Sequence, residues 1–226
     1  MKSRYFTDLS RISLKSYLKM LKETELMPGR KILHERIDER FSALGELGIK
    51  NLEELLEKLK TSRSLKSTAE LTGIPSGYLV MLKREMRQML PKPVPLAEFP
   101  FTDDNMIKAL KKKGINTTLQ LFEQSDTAEK REALARELKL DKFKLKELMK
   151  LADLSRIWGF GPVFCWMFFE IKCDTVSKVA EADPVVLFES LEELNRIKNY
   201  TRVKFTLKDI VSSVRIAGEL PNNIEI

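Results

Sequence analysis

The stretch Leu154–Phe169, LSRIWGFGPVFCWMFF, decides how the rest of the chain is read. Leu154 and Ile157 are spaced to close one helix on an apolar face. Gly159-Phe160-Gly161 follows as a tight turn. Pro162 suits the first position of a new helix, where a missing N–H has no intrahelical partner to lose. Cys165, Phe168 and Phe169 then share one face of the second helix. Trp166 and Met167 fill its other sides, so this helix belongs in a core or against a partner.

Outward from it, Lys172-Cys173-Asp174-Thr175 leads into VSKVAEA, and this arrangement has two earlier counterparts. Ile37, Phe41, Leu44 and Leu47 mark a helix that stops at Gly48, where a missing Cβ permits the left-handed conformation. Ile49-Lys50-Asn51 and LEELLEKLK follow. Met106, Ile107 and Leu110 likewise precede Gly114-Ile115-Asn116-Thr117. Asn51 with Glu54, and Thr117 with Gln120, have capping-box spacing. In the third copy Lys172 replaces the glycine, so a left-handed turn there costs about 1 kcal/mol, or the turn differs.

A second landmark sits 25 residues on, from Gly48 to Gly73 and from Gly114 to Lys139. One helix ends and another begins there, with Asp141 as a good N-cap. The third copy is looser, turning near Lys198-Asn199 before a last helix over Thr206 to Ala217. The pattern predicts an all-α fold of three related helical units, roughly 60 residues each, that must stack to bury their apolar faces. The segment PKPVP, Pro91–Pro95, resists helix and is the best linker. The expected division is an N-terminal lobe over 1–90 with one unit and a C-terminal lobe over 96–226 with two, the better motif at 154–169.

Composition narrows the function. The 226 residues are 43% hydrophobic and 32% charged, with a net charge of +7. Residues 1–95 hold 19 basic and 12 acidic side chains, residues 96–152 hold 12 and 10, and residues 153–226 hold 9 and 11. The positive excess therefore lies in the first half, which permits an anionic partner. The longest apolar run, Val163–Phe169, is far short of the about twenty residues of a membrane span. The N-terminus lacks the apolar core of a secretory signal. Two cysteines, Cys165 and Cys173, cannot build a disulfide framework, and one histidine, His34, makes histidine catalysis improbable. A cytoplasmic protein without metal, cofactor or small-molecule substrate is expected.

The Leu154–Phe169 pattern resembles a helix-hairpin-helix motif: apolar-x-x-apolar-x-Gly-apolar-Gly, then a small residue and two apolar ones. The resemblance implies that the two glycines let backbone amides approach a DNA phosphate, a contact without sequence readout. The longer stretch Ala152–Pro184 is similar to bacterial and archaeal proteins of the DUF4332 type, which are built on degenerate helix-hairpin-helix units. That resemblance covers most of the chain and implies a fold, with no established activity. Two features depart from the pattern. Pro162-Val163-Phe164 offers no polar side chain after the second glycine. The corresponding places near Met27-Pro28-Gly29 and Phe99-Pro100-Phe101 keep at most one glycine.

The candidate phosphate contacts are Gly159, Phe160 and Gly161, with Arg156 as electrostatic support. Two basic clusters join them: Lys111, Lys112 and Lys113, and Lys83, Arg84 and Arg87. Each cluster reads equally as a solvated helix face, and the lysines at the end of a helix also favour its dipole. Lys142, Lys144, Lys146 and Lys150 read as a solvated face, and Trp158 and Trp166 as core. The carboxylate pairs Asp103-Asp104 and Glu192-Glu193 come with no second catalytic motif, so no enzyme is expected. The leading expectation is a non-enzymatic protein that binds DNA through its phosphate backbone. The alternative is a protein-interaction adaptor in which the helical hairpins are purely structural, with Val163–Phe169 as core or docking surface.

Overall fold

Thirteen α-helices in chain order carry the described residues, because Ser, Thr, Asn and Asp repeatedly cap apolar-periodic segments. The computed structural model describes residues 4–24, 26, 28–220 and 224–225. The helices are α1 Leu14–Glu23, α2 Ile37–Glu46, α3 Leu52–Lys58, α4 Ser62–Thr72, α5 Ser76–Gln88, α6 Asp104–Lys112, α7 Thr118–Ser125, α8 Ala128–Leu138, α9 Lys142–Leu154, α10 Pro162–Glu170, α11 Val176–Glu181, α12 Pro184–Lys198 and α13 Leu207–Glu219. Short 3-10 turns lie at Leu9–Arg11, Pro28–His34 and Leu96–Glu98. No strand forms among the described residues; two isolated bridges, Ser13 to Asn51 and Pro95 to Thr117, are the only extended pairings there.

The chain divides into two compact units: Asp8–Met89, and Met1–Thr7 together with Leu90–Ile226. The boundary expected to hold 1–90 together therefore loses its first residues to the second unit. Tyr5 explains why. It is fully buried, and its ring meets Phe122 edge-on at 5.5 Å. Its hydroxyl bonds Thr118 Oγ1 at 2.8 Å and Ser155 Oγ at 3.2 Å.

One order of local features recurs in three stretches: α2–α5, α6–α9 and α10–α13. Each opens with a helix that ends at a residue with positive φ: Gly48 (77°), Gly114 (85°) and Lys172 (66°). Lys172 thus adopts the strained conformation that glycine takes freely. A buried apolar residue follows each, Ile49, Ile115 or Cys173. Then Asn51, Thr117 or Thr175 caps a short helix by accepting from the backbone N–H three residues on. The longer third helix of each stretch ends at Gly73, Lys139 or Asn199, again left-handed. From Phe101 to Thr118 the second stretch aligns with the third at a separation of 58 residues, Phe101 with Gly159 and Gly114 with Lys172.

The first amide of each short helix is held from outside its own helix. Leu52 N–H donates to the Ile12 carbonyl at 3.1 Å, and Thr118 N–H to the Val94 carbonyl at 2.9 Å. In the third stretch the acceptor is a side chain: Val176 N–H donates to Asp153 Oδ2 at 2.8 Å. Separate cores serve the second and third stretches. Met106, Leu110, Leu121, Phe122, Leu145 and Leu148 anchor one. Leu154, Ile157, Phe168, Val179, Leu191 and Ile210 anchor the other. Sequestering such faces from water is the main stabilising term, about 1.5–3 kcal/mol for each large apolar side chain.

Candidate functional site

The turn between α9 and α10 is built by backbone bonds. Arg156, Ile157 and Phe160 N–H groups donate to the carbonyls of Asp153, Leu154 and Ile157 at 3.0, 3.0 and 3.1 Å. Gly159 has φ 90°, a conformation glycine adopts without a Cβ clash. Gly161 is extended and begins α10, with Pro162 in the first turn as expected. Phe160 turns inward against Phe164 and Phe168, with ring centroids 5.0 and 4.5 Å away. Gly159 and Gly161 remain exposed.

No side chain caps α10. Its first-turn amides, those of Val163 and Phe164, therefore lack the side-chain acceptor that most helices of this chain have. The aligned helix α6 makes the contrast plain. There Asp103 stands where Gly161 does, and its carboxylate accepts from Asn105 N–H at 2.9 Å and Met106 N–H at 3.1 Å. Lys144 donates to the same carboxylate at 2.7 Å. That hydrogen bond, with the backbone bond from Met106, holds the Asp103 carboxyl below its ordinary range. A helix N-terminus presents unpaired N–H groups and positive potential, so an anion belongs there; α6 carries its own and α10 does not.

Two of the expected contacts are corrected by the geometry. Arg156 is not at the surface: it is 1% exposed. Its Nη1 donates to Asp153 Oδ1 at 2.6 Å and its Nε to the Tyr5 carbonyl at 3.0 Å. Its guanidinium also lies over the Phe122 ring, 5.1 Å from the centroid. Burial pushes the Asp153 carboxyl up, opposed by Arg156 and by the Val176 N–H. A guanidinium locked in this pair cannot reach a phosphate. The Phe160 amide is also occupied, by Ile157, which leaves Gly159 and Gly161 of the three turn residues.

The lysine clusters fall in different places. Lys111, Lys112 and Lys113 are exposed at the end of α6, where Lys113 pairs with Glu137. Lys83, Arg84 and Arg87 lie on α5, in the other compact unit. Lys83 donates to the Lys60 carbonyl at 2.7 Å, so its ammonium covers the end of a neighbouring helix. Two cations outside those clusters lie on the segment that packs against α10. Phe205 packs edge-on against Phe164 in the first turn of α10, 5.5 Å between centroids, and Arg202 and Lys204 are exposed on the same short segment.

Trp158, expected in the core, is 45% exposed at the turn. Trp166 is half-buried, with its ring 5.1 Å from Phe101 and 5.4 Å from Phe169. Cys165, Met167 and Phe168 are buried, Phe164, Trp166 and Phe169 half-buried and Val163 is exposed, so most of α10 packs into the core. Met27 of the earlier turn lies outside the described residues. The left-handed residue preceding α2 is Arg36, with φ 48°, and Gly29 is not left-handed. In the second stretch Phe101, at φ 59°, takes the place of Gly159.

Burial pushes the Cys173 thiol up to about 11 and the Cys165 thiol higher still, so neither forms the nucleophilic thiolate at neutral pH. Among the described residues no group of His, Cys, Asp and Glu is arranged to hold a metal. His34 is exposed, with Nε2 2.8 Å from the Leu21 carbonyl oxygen. A groove between α12 and residues 201–206 is lined by Glu189, Glu192 and Glu193 of α12, with Arg202 and Lys204 on the other side, and Arg196 of α12 pairs with Glu193. Among the described residues no helix is long and apolar enough to cross a membrane.

A family model described as a domain of unknown function (DUF4332) matches residues 101–220, over half of the chain. No curated protein and no solved structure matches it.

Proposed function

We propose that this chain, which belongs to the DUF4332 family, is a non-enzymatic nucleic-acid-binding protein that grips the DNA phosphate backbone without reading sequence. The three stretches are degenerate helix-hairpin-helix units, and the α9–α10 turn is the one that has kept a binding role. The uncapped start of α10 carries the reading. A glycine stands where the aligned helix has a capping aspartate, and exposed Arg202 and Lys204 lie on the segment whose Phe205 packs against Phe164 in the first turn. A phosphate oxygen at this point accepts from the first-turn amides, and the two cations neutralise neighbouring phosphates. Trp158 borders the contact and reports on it by fluorescence.

The test is fluorescence anisotropy of a labelled duplex at about 50 and about 200 mM salt. Affinity falls steeply between the two, and an R202E/K204E variant lowers both the affinity and the slope. Binding indifferent to salt, or absent at the lower salt, overturns the proposal. A second reading, the adaptor with purely structural hairpins, draws on Leu207 and Val211, one turn apart on α13 and 37% and 48% exposed. Absence of duplex binding would leave that reading standing.

A further inference from the structure

A second surface lies away from the α9–α10 turn. Phe143 is the second residue of α9 and 68% exposed, on the side of the helix opposite the buried Leu145, Leu148 and Met149. Residues three and four apart share a helix face, so Lys146 stands directly beside it. Lys142 Nζ lies 5.2 Å from the Phe143 ring centroid. Lys139, in the left-handed turn just before α9, borders the same end.

Two ion pairs hold α6 along this end of the α8–α9 hairpin. Lys113 pairs with Glu137 near the end of α8, and Lys144 pairs with Asp103 at the start of α6, 2.7 Å apart. Lys111 and Lys112, beside Lys113 at the end of α6, are exposed as well. Lys111, Lys112, Lys139, Lys142 and Lys146 are all exposed, and no ion pair among the described residues neutralises them. Of the nearby acids, Asp141 is engaged in capping α9 through the Phe143 and Lys144 amides, at 2.8 and 3.1 Å. Glu147 is the one exposed carboxylate close to the ring along α9.

We infer that this surface binds single-stranded nucleic acid by stacking an unpaired base on Phe143 and matching the flanking phosphates to Lys139, Lys142 and Lys146. An exposed aromatic ring set among unneutralised cations supplies both halves of single-strand recognition: a π face for any base and a positive track for the backbone. The stacking is sequence-tolerant, because every base has such a face. A duplex keeps its bases stacked internally and gains nothing from Phe143. This inference goes beyond the duplex reading and rests on different residues.

The experiment compares labelled oligo-dT and oligo-U, each about 12 nucleotides, with the labelled duplex, on the full chain at low salt. Phe143→Ala weakens both oligonucleotides about tenfold, the scale of one lost base stack, and leaves duplex affinity unchanged. Phe143→Trp restores binding, and the added indole fluorescence is quenched by the oligonucleotide. An unchanged melting temperature shows that these exposed substitutions keep the fold. Equal oligonucleotide affinity in Phe143→Ala overturns the inference, since the contact is then phosphate alone. So does binding of a labelled polyglutamate peptide in place of the oligonucleotides, which assigns the patch to an acidic protein segment. Neither result touches the duplex proposal, which is read through Arg202 and Lys204.

Discussion

The second and third helical stretches follow the same local plan, residue for residue through their first helix and the cap of the second, yet they complete it with different chemistry. Where α6 begins, Asp103 caps the helix and Lys144 balances the charge; where α10 begins, Gly161 leaves the amides uncapped. Where α7 begins, a backbone carbonyl from Val94 receives the first N–H; where α11 begins, the carboxylate of Asp153 does, with Arg156 behind it. The outward face of α6 is lysine, whereas the aligned face of α10 is Trp166 and Phe169, packed against Phe101 and each other. One stretch is finished internally and faces solvent with charge. The other buries its charges and opens its helix start.

Breaking the Asp153 bond should have the largest effect. Asp153→Ala leaves Arg156 as an uncompensated buried charge and the Val176 N–H without its acceptor. We expect a loss of about 3–5 kcal/mol in urea unfolding. The second stretch has no equivalent weakness, because its acceptor is main chain. A loss under about 1 kcal/mol would mean that the buried pair is not part of what holds α9 to α11.

Next in size is the left-handed turn. Lys172→Gly supplies at the third stretch what Gly114 supplies at the second, and should raise stability by about 1 kcal/mol. Thermal unfolding checks it, and a lower melting temperature would show that Lys172 contributes more through its contact with the Phe169 ring, 5.9 Å from the ammonium, than it loses in backbone strain.

The smallest effect is pH-dependent. Asp174 aligns with Asn116 and is bonded by Lys150 at 2.5 Å and Lys178 at 2.7 Å. Burial acts against the charged form, but these hydrogen bonds and charges prevail and hold the carboxyl below its ordinary range. A depressed folded-state value contributes stability that is present above the unfolded value, about pH 4, and is lost as pH falls through the folded one. Asp174→Asn makes the third stretch like the second and should flatten the acid limb of the stability profile below about pH 4. An unchanged acid limb would remove Asp174 from the account.

Most of the architecture was legible because it is written in residues with strong local preferences. Gly48, Gly114, Asn51, Thr117 and Asp141 each announce a helix end, and the structure places a cap or a left-handed turn at every one. Lys172 was legible only by its place in the repeating order. Phe101 and Arg36 were not, because a positive φ at a bulky residue is imposed by packing and leaves no mark on composition. Arg156 misled for a related reason. Its place three residues before the turn reads as a cation beside the glycines, whereas its guanidinium donates to the carbonyls of Arg4 and Tyr5, about 150 residues away in sequence. Phe143 was hidden in an alternation of lysine and apolar residues whose other members, Leu145 and Leu148, are core. Arg202 and Lys204 are tied to α10 only through the packing of Phe205 on Phe164.

The central claim is that the start of α10 is left open for a phosphate that the start of α6 does not need. Gly161→Asp tests it most directly, because the substitution installs at α10 the cap that α6 already has. Gly161 is extended, and no atom lies within 4 Å of a Cβ built there, so aspartate fits without strain. The account predicts that the variant melts at the same temperature or slightly higher, since a capped helix is the more stable one. It also predicts a loss of duplex affinity of about tenfold or more at low salt, because an internal carboxylate now occupies the amides and repels the phosphate. Duplex affinity equal to that of the parent chain, in a variant of unchanged or raised stability, would contradict it.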